Sequence, residues 1–120
     1  MNLLLHTETT IDSCHKLEHY NGKCSQLHGH TWKLEIWFKG DSMHIDKVGI
    51  LVDFGIVKEI KEVLDHKYLN DIIMVNPTAE NLTKWIYTFI KQKINKKIKC
   101  KVRIYETAVG KLTWCEGGDF

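Results

Sequence analysis

From His30 to Phe38 the chain alternates almost without a break: Trp32, Leu34, Ile36 and Phe38 are apolar, while Lys33, Glu35 and Lys39 are charged. A two-residue period puts the four apolar side chains on one face of an extended strand, with the charges on the other. Trp37 is the one apolar residue on the polar parity. A half-buried strand cannot stand alone. It needs paired neighbours and a layer to cover its apolar face.

The rest of the chain supplies both. Leu3, Leu5, Thr7, Thr9 and Ile11 share one parity and predict a strand over Leu3–Ser13. Gly40-Asp41-Ser42 marks a turn, and the apolar run Gly49–Val52 ends at Asp53, a residue suited to capping a helix. Phe54, Ile56, Val57, Ile60, Val63 and Leu64 then recur at three- and four-residue spacing, predicting a helix over Phe54–Leu64. A second helix starts in NPTAEN, where Pro77 stops backward extension, Thr78 caps, and Glu80 lies in the first turn; its stripe is Leu82, Trp85, Ile86, Phe89 and Ile90. Cys100–Thr107, with Val102, Ile104 and Glu106 on one parity, and Leu112–Cys115 beyond Gly110 predict two last strands. The order β-β-α-α-β-β is an α+β pattern, a four-stranded antiparallel sheet with both helices on one face. Such a sheet has two free edges, so a ring-forming homo-oligomer is expected.

At 120 residues the chain has room for one domain, 1–120. Its 17 basic and 15 acidic residues leave a charge of +2, which gives no general affinity for nucleic acid. The run Lys91–Arg103 gathers six lysines and one arginine and is read as a solvated helix end without interleaved aromatic residues. MNLLLHTETT lacks a basic n-region and a long apolar stretch, so neither a secretory signal nor a membrane anchor is expected and the protein is read as cytoplasmic. Cys14, Cys24, Cys100 and Cys115 show no CxxC spacing, and no disulfide is expected.

His28-Gly29-His30 opens the alternating strand. Residues two apart share a face of an extended chain, so both imidazoles can reach one metal ion. His15, at the end of the first strand, is the leading third ligand. Three histidines would leave the fourth position of a zinc ion open, as catalytic sites do. Ordinary loop histidines remain the alternative from spacing alone. His6, His19 and His44 have no companion pattern and are read as surface or packing residues. Cys24 has two readings: as a fourth ligand it closes a structural site, and as a free thiol beside Lys23 and a metal it is an activated group. Asp65 precedes His66 at the end of the first helix, where orienting one by the other needs an irregular turn; a solvated helix end is the alternative. Glu106, on a core-facing parity, needs a partner, either a protein cation or a ligand with paired donors such as an amino-pyrimidinone edge.

With His15, CSQLHGH, LDHKYLND, NPTAEN and YET in this order, the chain resembles the 6-pyruvoyl-tetrahydropterin synthase family, and within it the 6-carboxy-5,6,7,8-tetrahydropterin synthases of the queuosine pathway. The likeness runs from the first strand to Glu106-Thr107. It implies the tunnelling (T-fold) architecture, in which sheets join edge to edge, a trimer pairs into a homohexamer, and active sites lie at subunit interfaces. It implies zinc (Zn2+) on His15, His28 and His30, a catalytic Cys24, an Asp65–His66 dyad, Glu106 as the pterin anchor with Thr107 beside it, and Glu80 as a further pterin-site position. The substrate implied is 7,8-dihydroneopterin triphosphate, converted with release of acetaldehyde and triphosphate, with no nucleic acid or membrane partner. One departure is that Ser13-Cys14 stands where the family usually has small residues such as alanine; Cys14 has the opposite parity to His15 and is expected to face away. Alternatives within the resemblance are a 6-pyruvoyl-tetrahydropterin synthase, an aldolase-like branch that tends to carry a glutamate near the place of Cys24, and a non-catalytic zinc- or pterin-binding subunit.

Overall fold

The computed structural model describes residues 1–110 and 112–120. Strands β1 (Asn2–His15) and β2 (His28–Asp41) form a long antiparallel hairpin in register from Asn2↔Asp41 to His15↔His28. Helices α1 (Gly55–Leu64) and α2 (Ala79–Lys91) follow, then strands β3 (Lys99–Tyr105) and β4 (Trp114–Gly118). The sheet order is β1-β2-β3-β4, antiparallel throughout. β1 and β4 are therefore the edges. The α+β, T-fold arrangement expected from the sequence is the one observed.

Alternation decides which face is buried. Ile11 of β1, Trp32 to Phe38 at even positions of β2, and Cys100, Val102 and Ile104 of β3 are buried together with Ile56, Ile60 and Leu64 of α1 and Leu82, Ile86 and Ile90 of α2. Apolar burial on this one face drives the two helices onto the sheet. Among the described residues, no helix covers the opposite face.

Several expectations shift at element ends. β1 does not stop at Ser13 but runs through His15, because His28 supplies it a partner. Asp53 sits one residue outside the helix-capping position, which is Phe54; its Oδ1 accepts from the Gly55 N–H at 2.8 Å. Thr78 caps α2 as expected, accepting from the Asn81 N–H at 3.2 Å. β3 ends at Tyr105, so Glu106 and Thr107 lie beyond the sheet, and the last strand begins at Trp114, not Leu112.

The basic run also differs from a solvated helix end with no aromatic company. Lys91 Nζ binds Asp119 at 2.9 Å. Lys101 and Arg103, carried by β3 onto the helix-free face, lie 4.8 and 5.0 Å from the Trp37 ring centre, and Arg103 lies 4.1 Å from that of Trp114. Strand alternation brings those aromatic rings from β2 and β4, so they are not adjacent in sequence.

Candidate active site

The β1–β2 register sets His15 directly opposite His28, and His30 stands on the same face two residues on. The three rings pack edge to face with centres 4.5 to 5.0 Å apart. Beneath them Trp32, fully buried, stands edge-on to His15 at 5.1 Å and to His30 at 5.2 Å. Glu106, just past β3, brings Oε1 to 3.0 Å from His30 Nε2. His15, His28, His30 and Glu106 each offer an atom within 4.8 Å of the others.

The tautomers follow from hydrogen bonds. His15 Nδ1 donates to the Pro77 carbonyl at 2.7 Å, and His28 Nδ1 donates to the Gln26 carbonyl at 2.7 Å. A carbonyl only accepts, so both Nδ1 atoms carry hydrogen and both Nε2 atoms of the neutral rings are bare lone pairs. Those two atoms face each other at 3.0 Å. Two lone pairs at that distance repel unless a cation lies between them or one ring takes a proton. Burial opposes the proton, lowering the pKa of His15 despite the Pro77 bond; it also lowers that of His30, against the pull of Glu106. The Nε2 atom of His30 is likewise buried and makes no hydrogen bond. Converging imidazole nitrogens, with the Nδ1 atoms of His15 and His28 anchored on backbone carbonyls, fit a zinc-type ion.

Cys24 lies in a short 3-10 turn (Lys23–Ser25) and is outside the group that could hold a metal. It does line, with His15, Tyr20, Glu80, Glu106 and Trp114, a cavity of about 330 Å3. Thr107 is exposed and is not among the residues lining it. Cys14 faces away, its Sγ 3.6 Å from the Lys67 carbonyl.

Asp65 and His66 lie elsewhere. Asp65 leaves α1 in an extended conformation and His66 adopts φ 55°, the irregular turn that lets neighbouring side chains meet. His66 Nδ1 lies 2.8 Å from Asp65 Oδ2. The segment rides on the outer edge of β1: Asp65 Oδ1 accepts from the Asp12 N–H, and His66 N–H donates to the Asp12 carbonyl. The Asp12 N–H, joined by His66, outweighs partial burial and holds the Asp65 carboxyl below its usual range. The His66 side chain is 79% exposed and does not line the cavity that holds Cys24.

A model of the family described as 6-pyruvoyl tetrahydropterin synthase matches residues 4–116. The chain belongs to this family. A 6-carboxy-5,6,7,8-tetrahydropterin synthase of Synechocystis sp. is 30% identical over 97 residues, covering 74% of this chain and 75% of its own. A dihydroneopterin monophosphate aldolase of Pyrococcus furiosus is 34% identical over 121 residues, 92% of this chain and 87% of its own. The solved 6-pyruvoyl tetrahydropterin synthase of Caenorhabditis elegans shares the fold with a TM-score of 0.73 at 19% identity, covering 98% of this chain and 96% of its own.

In this member of the 6-pyruvoyl tetrahydropterin synthase family, two residues missed in the sequence hold the site together. Asn70 pairs with both backbone groups of Lys16, at 3.0 and 2.9 Å, and Asn76 does the same with Glu18, at 2.9 and 2.7 Å. Each side-chain amide imitates a strand's backbone, strapping the segment that leaves His15. The signal was there in LDHKYLND and NPTAEN, whose asparagines offer a donor and an acceptor side by side.

Proposed function

We propose that this protein is a zinc-dependent carbon–carbon lyase that converts 7,8-dihydroneopterin triphosphate to 6-carboxy-5,6,7,8-tetrahydropterin, releasing acetaldehyde and triphosphate, in the 7-deazaguanine and queuosine pathway of the cytoplasm. The observation that carries this is a cluster of three imidazoles and Glu106, of which His15 and Glu106 share a cavity wall with the Cys24 thiol. The name of the Synechocystis relative supports the product.

His15, His28 and His30 would hold the zinc, which when bound supplies Lewis-acid polarisation of the substrate's side-chain hydroxyls. Glu106 accepts from the N–H and NH2 of the pterin edge, fixing the ring, with Thr107 beside it and Glu80 on the cavity wall. Cys24, as thiolate, takes a proton from the side chain. His66, oriented by Asp65, gives or accepts protons in later steps. Ring reduction is balanced by side-chain oxidation, so no nicotinamide is consumed; once triphosphate is eliminated, one water adds across the cleaved carbon–carbon bond, its oxygen entering the 6-carboxyl and its hydrogen leaving in acetaldehyde.

His66 stands on the β1 edge, outside its own chain's cavity. It therefore serves a site completed by a second subunit, in line with sheets joined edge to edge in a trimer that pairs into a hexamer.

A second activity has a specific observation in its favour: the Pyrococcus furiosus aldolase matches 92% of the chain. Against it, Tyr20–His30 contains no glutamate. Incubation of zinc-loaded protein with dihydroneopterin triphosphate separates the possibilities. Acetaldehyde beside the carboxy product is expected. Triphosphate release without acetaldehyde would indicate the pyruvoyl product, turnover only of the monophosphate to 6-hydroxymethyl-dihydropterin the aldolase, and no turnover a binding subunit.

A further inference from the structure

Glu106 stands in a place that its proposed role as pterin anchor does not explain. A carboxylate that waits for a pterin edge needs both oxygens free, yet Oε1 lies 3.0 Å from His30 Nε2. That contact is not a hydrogen bond, for the buried nitrogen has no partner in bonding geometry.

The distances are those of a coordination shell. Four ligands at zinc's usual bond lengths stand about 3.3 Å apart around a tetrahedron. His15 Nε2 and His28 Nε2 are 3.0 Å apart, and so are His30 Nε2 and Glu106 Oε1. One carboxylate oxygen and three imidazole nitrogens, all within 4.8 Å of one another, form a complete four-donor set. We propose that Glu106 is the fourth ligand of the metal in the substrate-free protein, and that it leaves the metal when a pterin edge engages both its oxygens.

The inference rests on the metal centre proposed above. It goes further in making ring capture and opening of the fourth position one event, since a single carboxylate cannot do both. The side chain has room to turn: it is 38% exposed, lies beyond the end of β3, and borders the 330 Å3 cavity. A consequence is that the centre is closed to water and small anions until the substrate's ring is seated.

Cobalt(II) in place of zinc makes the coordination visible by its absorption. Wild-type protein and Glu106→Gln are titrated with cobalt(II), and then with 7,8-dihydropterin, a ring without side-chain hydroxyls. Glu106→Gln should bind cobalt at least about tenfold more weakly, with weaker absorption as water replaces the carboxylate. Dihydropterin should move the wild-type spectrum toward that of the variant. An unchanged melting temperature of the metal-free variant shows that the fold is intact. Equal affinity and equal spectra in the two proteins would overturn the fourth-ligand assignment and leave the metal centre standing. Failure of wild-type protein to bind cobalt or zinc would overturn both.

Discussion

At His15 three requirements meet in one side chain: it ends β1, it donates Nδ1–H to Pro77 in the loop before α2, and it turns a bare Nε2 toward His28. Its identity as a ligand candidate was legible, because a strand end must meet the start of its partner. The carbonyl that sets its tautomer was not, since Pro77 is 62 residues away in sequence. The same holds for Asn70, whose amide straps Lys16 immediately after His15. Asn70→Ala strips partners from two backbone groups and should lower unfolding free energy by about 1–3 kcal/mol in urea titration. The acid limb has a sign as well. Because the pKa values of His15 and His30 are lowered in the fold, unfolded chains bind more protons below the ordinary histidine value of 6.5. Metal-free protein should therefore lose stability as pH falls below that value, with the loss complete once pH is under the folded pKa values. Unfolding midpoints at pH 7.5 and 5 measure this, and a His15→Phe, His30→Phe double variant should flatten the dependence.

The elements were legible where period and burial agree. Trp32 to Phe38 and the stripes of α1 and α2 bury the residues that their spacing indicates. Where the sheet ends, sequence pattern loses its hold, since a strand continues for as long as a neighbour supplies hydrogen bonds. β4 illustrates this: it extends to Gly118 because β3 pairs with it, and the tail is then locked by Asp119. That carboxylate, partly buried, is held below its usual range by the Tyr87 hydroxyl, the Cys100 N–H at 2.8 Å and Lys91 at 2.9 Å. Nothing in GGDF announces such a clamp. Asp119→Ala should cost about 1–3 kcal/mol. Gly118→Ala should destabilise as well, because a β-carbon there would clash with the Cys100 carbonyl oxygen, at φ 151°. Thermal melts of both variants test the clamp, and unchanged melting temperatures would exclude it.

At the scale of the molecule, the chain gathers its candidate residues in two places. The histidines, Glu106 and Cys24 meet at one end of the sheet on the helix-bearing face, while Asp65 and His66 ride on the outer edge of β1. Motifs in the sequence identified all of these residues but could not show this division, because it depends on which strand is an edge. If sites are shared between subunits, mixed oligomers of Cys24→Ala and His66→Ala should regain activity, each variant alone being weak. No recovery after mixing and reassembly would place the dyad with its own chain's site. Within the described residues no helix is long and apolar enough to cross a membrane. In such an assembly the β4 edge and the part of the β1 edge that residues 65–68 leave uncovered would be the natural contacts. The central claim is that three imidazoles hold the metal and the thiol does chemistry beside it. Zinc content and turnover of Cys24→Ala, measured on one preparation, test this most directly. Full zinc occupancy with turnover lowered on the order of 10²–10⁴-fold is predicted; loss of zinc together with the thiol would contradict it.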